Sequence, residues 1–189
     1  MEILLSLCIG IGLSAACGFR VFVPLLMVSI ASLSGHLSLA TGFQWMGTYP
    51  ALIAFALATA LEIGAYYIPW VDNLLDTLAT PAAVIAGTIV TASLVTDLSP
   101  FLKWTLAVIA GGGVAGLVQS ATVGARSVSS VGTGGLTNPI LATVELGGSI
   151  LTSIMAIVVP VLTILLVAVI LFFAVKKIIA RFSRRTAAG

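Results

Sequence analysis

The chain has 189 residues, of which 60% are hydrophobic and 7% are charged, and its formal net charge is +2. A soluble domain carries about a quarter of its residues as charged side chains, and a soluble core has no room for this much apolar surface. The composition therefore excludes a soluble protein and predicts an integral membrane protein. Since the apolar runs are long and lack the two-residue alternation of a barrel strand, we expect membrane-spanning helices.

Five apolar segments predict the spans. They lie at about 3–33, 50–70, 80–96, 102–125 and 137–175. At about 1.5 Å per residue the first would reach about 46 Å and the last about 58 Å, against a hydrocarbon core of about 30 Å. Neither is therefore one straight span. Pro160 divides the last segment into 137–157 and 160–177. Gly18 and Pro24 predict a kink, a break or a re-entrant turn in the first.

The basic residues indicate how the chain is oriented. Five of the eight lie in the last fourteen positions, namely Lys176, Lys177, Arg181, Arg184 and Arg185. A short basic segment after the last span is cytoplasmic by the positive-inside rule, and it is attracted to anionic lipids. With six crossings both termini are cytoplasmic, and we expect a multi-pass protein of the inner (plasma) membrane whose main partner is the lipid bilayer. No folded basic surface supports nucleic acid as a partner.

An internal repeat divides the chain. Residues 10–20 align without gaps with residues 116–126, and five of the eleven positions are identical. A second echo, 57–64 against 141–148, pairs Glu62 with Glu145. We predict two three-helix units, residues 1–98 and 99–178, each with a broken or kinked first helix, followed by a basic cytoplasmic tail at 179–189. Because three crossings per unit is an odd number, the second unit enters the membrane from the opposite face, as in many secondary transporters. If the first segment of each unit is re-entrant instead, the inversion fails.

Each unit carries one arginine and one glutamate at membrane depth, Arg20 with Glu62 and Arg126 with Glu145. Such a charge is costly unless a partner or water reaches it. We expect the charges to pair within or across the units. In one interpretation the pairs are structural clamps. In the other they line a polar path for an anion, because the planar guanidinium suits a carboxylate or a phosphate.

Small residues precede each arginine at four-residue spacing. They are Gly10, Ser14 and Gly18 in the first unit, and Gly116, Ser120 and Gly124 in the second. The spacing places them on one helix face, where another helix or a substrate can come close. The predicted substrate-binding residues are therefore Arg20, Arg126, Glu62, Glu145, Ser14, Ser120, Gly18 and Gly124. Exposed glycine stripes also favour a homodimer.

The segment before the third span holds the weak candidates for a metal site, Asp72 and Asp76, one helical turn apart. The alternative is that they cap a helix opened by Pro81. Tyr66 and the aromatic residues that follow it predict an interfacial belt. The chain has no H-E-x-x-H, G-x-S-x-G or P-loop pattern. We therefore expect no enzyme, no cofactor and no dedicated metal.

Three stretches carry a resemblance to a known family. They are CGFRVFVPLL at 17–26, the run from YYIPW to TDLSP at 66–100, and GGGVAGL at 111–117. The chain resembles a bacterial family of small membrane proteins catalogued as domain of unknown function 4126, over roughly residues 3–175. The resemblance implies a compact helical membrane protein and brings no established substrate.

Two classes of function follow from these features. The first is a transporter or channel that moves a small anionic solute or a lipid headgroup through an inverted-repeat bundle. The second is a non-transporting membrane scaffold or assembly partner in which the arginine–glutamate pairs are structural. Whether the charged side chains face a cavity distinguishes the two classes.

Overall fold

The computed structural model describes residues 2–68, 71–96, 98–134 and 136–186, and the regular structure in these ranges is helical. The helices are α1 (Glu2–Cys17), α2 (Phe22–Leu33), α3 (Tyr49–Ala65), α4 (Val71–Leu94), α5 (Pro100–Leu106), α6 (Gly113–Thr133), α7 (Asn138–Val158) and α8 (Pro160–Thr186). A short 3₁₀ turn at Gln44–Gly47 precedes α3, and a π-helical segment, Ala107–Gly112, joins α5 to α6. The all-α prediction is confirmed for this part of the chain.

Within the ranges that the structure describes, three helical stretches are long and apolar enough to cross a membrane. They are Leu74–Leu94, Pro100–Thr133 and Asn138–Val158. Shorter apolar helices lie at Ile3–Cys17, Phe22–Leu33, Tyr49–Ala65 and Pro160–Phe173. These helices support the predicted membrane protein. The number of crossings, the inverted orientation of the two units and the cytoplasmic termini stay predictions.

Breaks occur at two of the predicted positions. The first apolar segment is divided at residues 18–21, between α1 and α2, and the last is divided immediately before Pro160. In the second unit α6 runs unbroken through Arg126, so the first helix of that unit has no break at its arginine. The irregularity of that unit is the π-helical segment before α6. Pro81 does not open a helix either, since it lies inside α4.

The centre of the bundle is α1, which packs against α4, α6, α7 and α8. Leu13, Ala15 and Ala16 are fully buried in these contacts. Ser14 is also fully buried, and its hydroxyl donates a hydrogen bond to the backbone carbonyl of Gly87 on α4 at 2.7 Å. Small side chains let the helix backbones approach closely, and the serine finds its partner inside the bundle. The packing of α1 thus fixes the position of the break that follows it.

Gly18 and Gly124, which match in the internal repeat, have different surroundings. A Cβ atom on Gly18 would lie 2.5 Å from Val118 Cβ and 2.6 Å from the carbonyl oxygen of Ala115. A Cβ atom on Gly124 would have no neighbour within 4 Å. The absence of a side chain at Gly18 therefore permits the close contact between the end of α1 and α6. Gly124 lies on an exposed helix face.

This difference gives a matched pair of variants. Gly18→Ala is expected to destabilise the protein by about 1–3 kcal/mol, because backbone atoms must move to admit the methyl group. Gly124→Ala is expected to be neutral or to stabilise by about 0.5–1 kcal/mol, since alanine is the better helix former. Thermal unfolding of the two purified variants in dodecyl maltoside measures both effects. Equal changes in the thermal stability of the two variants would contradict the close contact of Gly18 with α6.

Candidate binding site at a buried arginine pair

The break between α1 and α2 carries Arg20 into the bundle, where the residue is 2% exposed. Its Nη2 atom donates a hydrogen bond to the backbone carbonyl of Ala142 on α7 at 2.8 Å. The same nitrogen lies 3.6 Å from Oε2 of Glu145, one helical turn further along α7. Arg20 thus connects the first unit of the chain to the second.

Arg126 lies inside α6 and is also 2% exposed. Its Nε atom donates a hydrogen bond to Glu145 Oε1 at 2.9 Å, and its Nη2 atom donates to Glu145 Oε2. This bidentate arrangement is the strong form of the arginine–carboxylate pair. The third nitrogen, Nη1, lies 3.6 Å from Asp76 Oδ1 on α4. Arg126 therefore ties α6 to both α7 and α4.

A single tyrosine ring links the two arginines. The Cζ atom of Arg20 lies 3.7 Å from the centroid of the Tyr66 ring, and that of Arg126 lies 4.2 Å from it. The face of an aromatic ring attracts a cation, and more strongly where water is excluded. Tyr66 follows the last residue of α3 and is 5% exposed, so the predicted place of Tyr66 in an interfacial belt is wrong. Its spacing of four residues from Glu62 was the sequence signal for a shared helix face.

Glu62 has a different partner from Glu145. Its Oε1 accepts a hydrogen bond from the backbone N–H of Val21 at 2.8 Å, and its Oε2 accepts one from that of Phe22 at 3.0 Å. These are the first N–H groups of α2, which have no partner within their own helix and carry partial positive charge. Glu62 therefore caps α2 from α3. The ion pairs within 4 Å in the described ranges join the arginines to Glu145 and Asp76 instead.

The cap makes a prediction for α2. Glu62→Ala is expected to destabilise the protein by about 2–4 kcal/mol, because two buried backbone N–H groups lose a charged acceptor. Glu62→Gln keeps one acceptor oxygen and is expected to cost about half as much. Thermal unfolding measures the loss, and hydrogen exchange at the amides of Val21 and Phe22 localises it. Unchanged exchange at those amides in Glu62→Ala would contradict the cap.

The small residues of the two units take different positions. Ser14 and Gly18 lie inside the bundle. Ser120 is exposed, and its hydroxyl donates back to the carbonyl of Gly116 in its own helix at 2.7 Å. Gly124 is exposed as well. Of the predicted binding residues, the structure therefore gathers both arginines and Glu145 into one cluster, places Glu62 at its edge, and leaves Ser120 and Gly124 outside.

Of the predicted acidic pair, only Asp76 has a side chain that the structure describes. Asp76 faces Arg126 across 3.6 Å, and the side chain of Asp72 lies outside the described residues. Among the side chains that the structure describes, no three of the types His, Cys, Asp and Glu come together as metal ligands. The chemistry of the cluster is thus that of guanidinium groups, carboxylates and one phenol.

A cavity of about 360 Å³ lies beside the cluster, bounded by α3, α4 and the start of α2. Glu62 and Tyr66 contribute to its inner wall, and the rest of the lining is apolar. Neither arginine lines it, so the Tyr66 ring stands between the cavity and the guanidinium groups. Leu61 and Leu78 also line the cavity and are 74% and 57% exposed. The cavity therefore opens outward between α3 and α4.

Arg20 retains hydrogen-bonding capacity that the described part of the chain does not use. Its Nε and Nη1 atoms are buried and have no hydrogen-bond partner among the described residues. An unsatisfied buried donor on a charged group is costly, and such groups are rare in native proteins, where they mark strain, function or a missing ligand. The site thus has donors for an acceptor that the residues described around it do not supply.

A family model described as Domain of unknown function (DUF4126) matches residues 7–179. The chain belongs to the DUF4126 family. This confirms the family resemblance drawn from the stretches at 17–26, 66–100 and 111–117. No curated protein and no solved structure is detectably similar to the chain. The matched range contains the whole arginine cluster of this DUF4126 chain.

Proposed function

We propose that this DUF4126 chain is a transporter-like membrane protein that binds an anionic group at Arg20 and moves it through a bundle of two inverted three-helix units. The observation that carries the proposal is the guanidinium of Arg20, which is 2% exposed and whose Nε and Nη1 atoms have no hydrogen-bond partner in the ranges that the structure describes. A site with buried, charged donors and no acceptor is prepared for an anion, because a charge-assisted hydrogen bond is the strong kind.

The distribution of carboxylates supports Arg20, and not Arg126, as the binding group. Arg126 holds Glu145 with two hydrogen bonds and has Asp76 beside its third nitrogen. Glu62 gives both oxygens to the N-terminus of α2, whose partial positive charge offsets it. Arg20 shares only one oxygen of Glu145, at 3.6 Å. The positive charge that is least compensated by a close carboxylate is therefore that of Arg20.

Arg126 has a positioning role in this proposal. By holding Glu145 it keeps that carboxylate from forming a close pair with Arg20, and through Tyr66 it lies against the same ring as the binding guanidinium. The two arginines thus lie together beside one interior ring, as a shared path requires. The backbone break at 18–21 would let Arg20 follow a movement of α2 relative to α1.

A second candidate is the scaffold. Two observations favour it: neither arginine lines the cavity, and both arginines join helices. Arg126 joins α4, α6 and α7, and Arg20 joins the α1–α2 break to α7, so the charges act as clamps between helices. In a scaffold both arginines stabilise the fold. In a transporter Arg20 binds the ligand, and only Arg126 stabilises the fold. Separate measurements of stability and transport on the two arginines therefore distinguish the classes.

The experiment uses purified protein in liposomes of anionic and neutral phospholipids. Efflux of labelled phosphate and of a labelled dicarboxylate is measured, together with transbilayer movement of fluorescent phosphatidylglycerol. Arg20→Gln is expected to fold and to lower the active flux about tenfold or more, since a hydrogen bond to a charged group contributes about 1.5–3 kcal/mol. Lys103→Gln serves as the control, because Lys103 lies over Phe43, away from the cluster. Equal flux in wild type, Arg20→Gln and protein-free liposomes for every probe would favour the scaffold.

A further inference from the structure

We propose that the anionic group is the head of a membrane lipid, whose chain enters the cavity between α3 and α4 while its head reaches Arg20. This inference rests on the proposed function, because it names the substrate class for the same arginine. A free solute and a lipid headgroup offer the same oxygen chemistry to a guanidinium. The shape of the cavity distinguishes them.

The first argument is the lining of the cavity. Its volume of about 360 Å³ falls in the range of about 300–1,000 Å³ typical of small-molecule sites. Apart from Glu62 and Tyr66, the lining side chains carry no titratable group, and they include Ala58, Leu75 and Ala79. A hydrated anion gains nothing from such walls, because it would lose water without gaining partners. A hydrocarbon chain is chemically complementary to these apolar walls.

The second argument is the direction in which the cavity opens. Leu61 on α3 and Leu78 on α4 line it and remain largely exposed. Along this part of the bundle α3 and α4 make few contacts with each other. In a membrane protein, exposed leucines on two apolar helices lie against lipid chains. The opening therefore admits a ligand from the side, within the bilayer.

The third argument is the polar inner end. Tyr66 has its ring against the guanidinium of Arg20, and it also lines the cavity. Val21, next to Arg20 in the chain, lines the cavity as well. A rotation of the Tyr66 side chain would join the apolar cavity to the unpaired N–H groups of Arg20. Both oxygens of Glu62 accept hydrogen bonds from the N-terminus of α2, whose partial positive charge offsets that of the carboxylate beside the cavity. Apolar walls that lead to an unpaired cation fit an anionic amphiphile.

The test is a binding measurement on the purified protein in dodecyl maltoside, with dodecyl phosphate and inorganic phosphate as probes. The detergent already supplies a neutral dodecyl chain. Any additional effect of dodecyl phosphate is therefore due to its phosphate head. Dodecyl phosphate is expected to raise the Tm by about 5 °C, with a further rise as its concentration increases. Inorganic phosphate at the same concentration is expected to have no effect. Arg20→Gln is expected to lose the response.

Two alanines of α3 provide a matched pair for the chain. Ala58→Trp fills the cavity, whereas Ala60→Trp places the same side chain on an exposed position outside it. Ala58→Trp is expected to lower the affinity for dodecyl phosphate about tenfold or more. Ala60→Trp is expected to leave that affinity unchanged. Should Ala58→Trp fail to fold, alkyl phosphates of increasing chain length replace it on the wild-type protein. Affinity should then rise with length until the cavity is filled.

The outcomes separate this inference from the proposed function. If inorganic phosphate stabilises the protein as well as dodecyl phosphate, and Arg20→Gln abolishes both effects, the substrate is a soluble anion and the lipid inference is overturned alone. If dodecyl phosphate acts equally on Ala58→Trp and Ala60→Trp, or affinity is independent of chain length, the chain does not occupy the cavity and the inference is again overturned. If neither probe binds, the inference and the anion site fail together.

Discussion

Arg126→Gln is expected to destabilise the protein by about 3–5 kcal/mol, the largest loss that a single polar substitution in this chain should cause. The variant leaves the carboxylate of Glu145 buried, with Arg20 at 3.6 Å as its remaining cation. Asp76 loses its arginine as well. Burial without a partner is the costly state, whereas the pair itself contributes little net free energy. The midpoint of thermal unfolding in dodecyl maltoside should fall by about 10 °C.

A double variant serves as the control for Arg126. Arg126→Gln combined with Glu145→Gln removes both charges, and two neutral amides of similar size can hydrogen-bond to each other. We expect the double variant to recover at least half of the lost stability, because the uncompensated carboxylate is gone. If the double variant were no more stable than Arg126→Gln alone, the pairing of Arg126 with Glu145 would not be the source of the loss.

Tyr66→Ala is expected to destabilise the protein by about 3–5 kcal/mol, through the cavity that the lost ring leaves and through two lost contacts between guanidinium and ring. Tyr66 is 5% exposed and lies within 4.2 Å of both Cζ atoms, measured from the ring centroid. Tyr66→Phe keeps the ring and should lie within about 1 kcal/mol of the wild type. Thermal unfolding of the purified variants measures each change.

The neighbouring residue is the matched control for Tyr66. Tyr67 is 44% exposed, and its hydroxyl contacts the hydroxyl of Thr143 at 2.8 Å. Tyr67→Ala should therefore cost only about 1 kcal/mol, the worth of one hydrogen bond and a partly buried ring. If Tyr66→Ala and Tyr67→Ala were equally stable, the arginines would not depend on the Tyr66 ring.

The membrane class, the helical fold and the two breaks could be predicted because each depends on local properties of the sequence. The apolar composition indicates that the chain lies in a lipid bilayer. A proline has no N–H to donate to the preceding turn, so α7 ends before Pro160. The prediction about Pro81 failed because α4 begins at Val71 and continues through the proline. Its first part carries Asp76, whose ion pair with Arg126 is a tertiary contact that no local property of the sequence reveals.

The arginine cluster was predictable in its members but not in its pairing. A charge at membrane depth must find a partner, and this argument identified Arg20, Arg126 and Glu145. Glu62 was assigned by analogy with Glu145, although an ungapped match of 57–64 with 141–148 places Glu62 opposite Leu146. Its actual role at the start of α2 requires the approach of α3 to the break. Tyr66 was missed because its four-residue spacing from Glu62 indicates a shared helix face but does not distinguish a buried tyrosine from an interfacial one.

The Nε–H resonance of Arg20 tests the central claim most directly. In protein labelled with ¹⁵N-arginine, comparison with Arg20→Lys and Arg126→Lys assigns the two signals. We expect dodecyl phosphate to shift the Arg20 signal saturably and to slow the exchange of the Arg20 Nε–H proton with water. The Arg126 signal should stay in place, since its Nε–H already donates to Glu145 at 2.9 Å. An Arg20 signal that does not respond to dodecyl phosphate or inorganic phosphate, or a response at Arg126 alone, would contradict Arg20 as the anion-binding group.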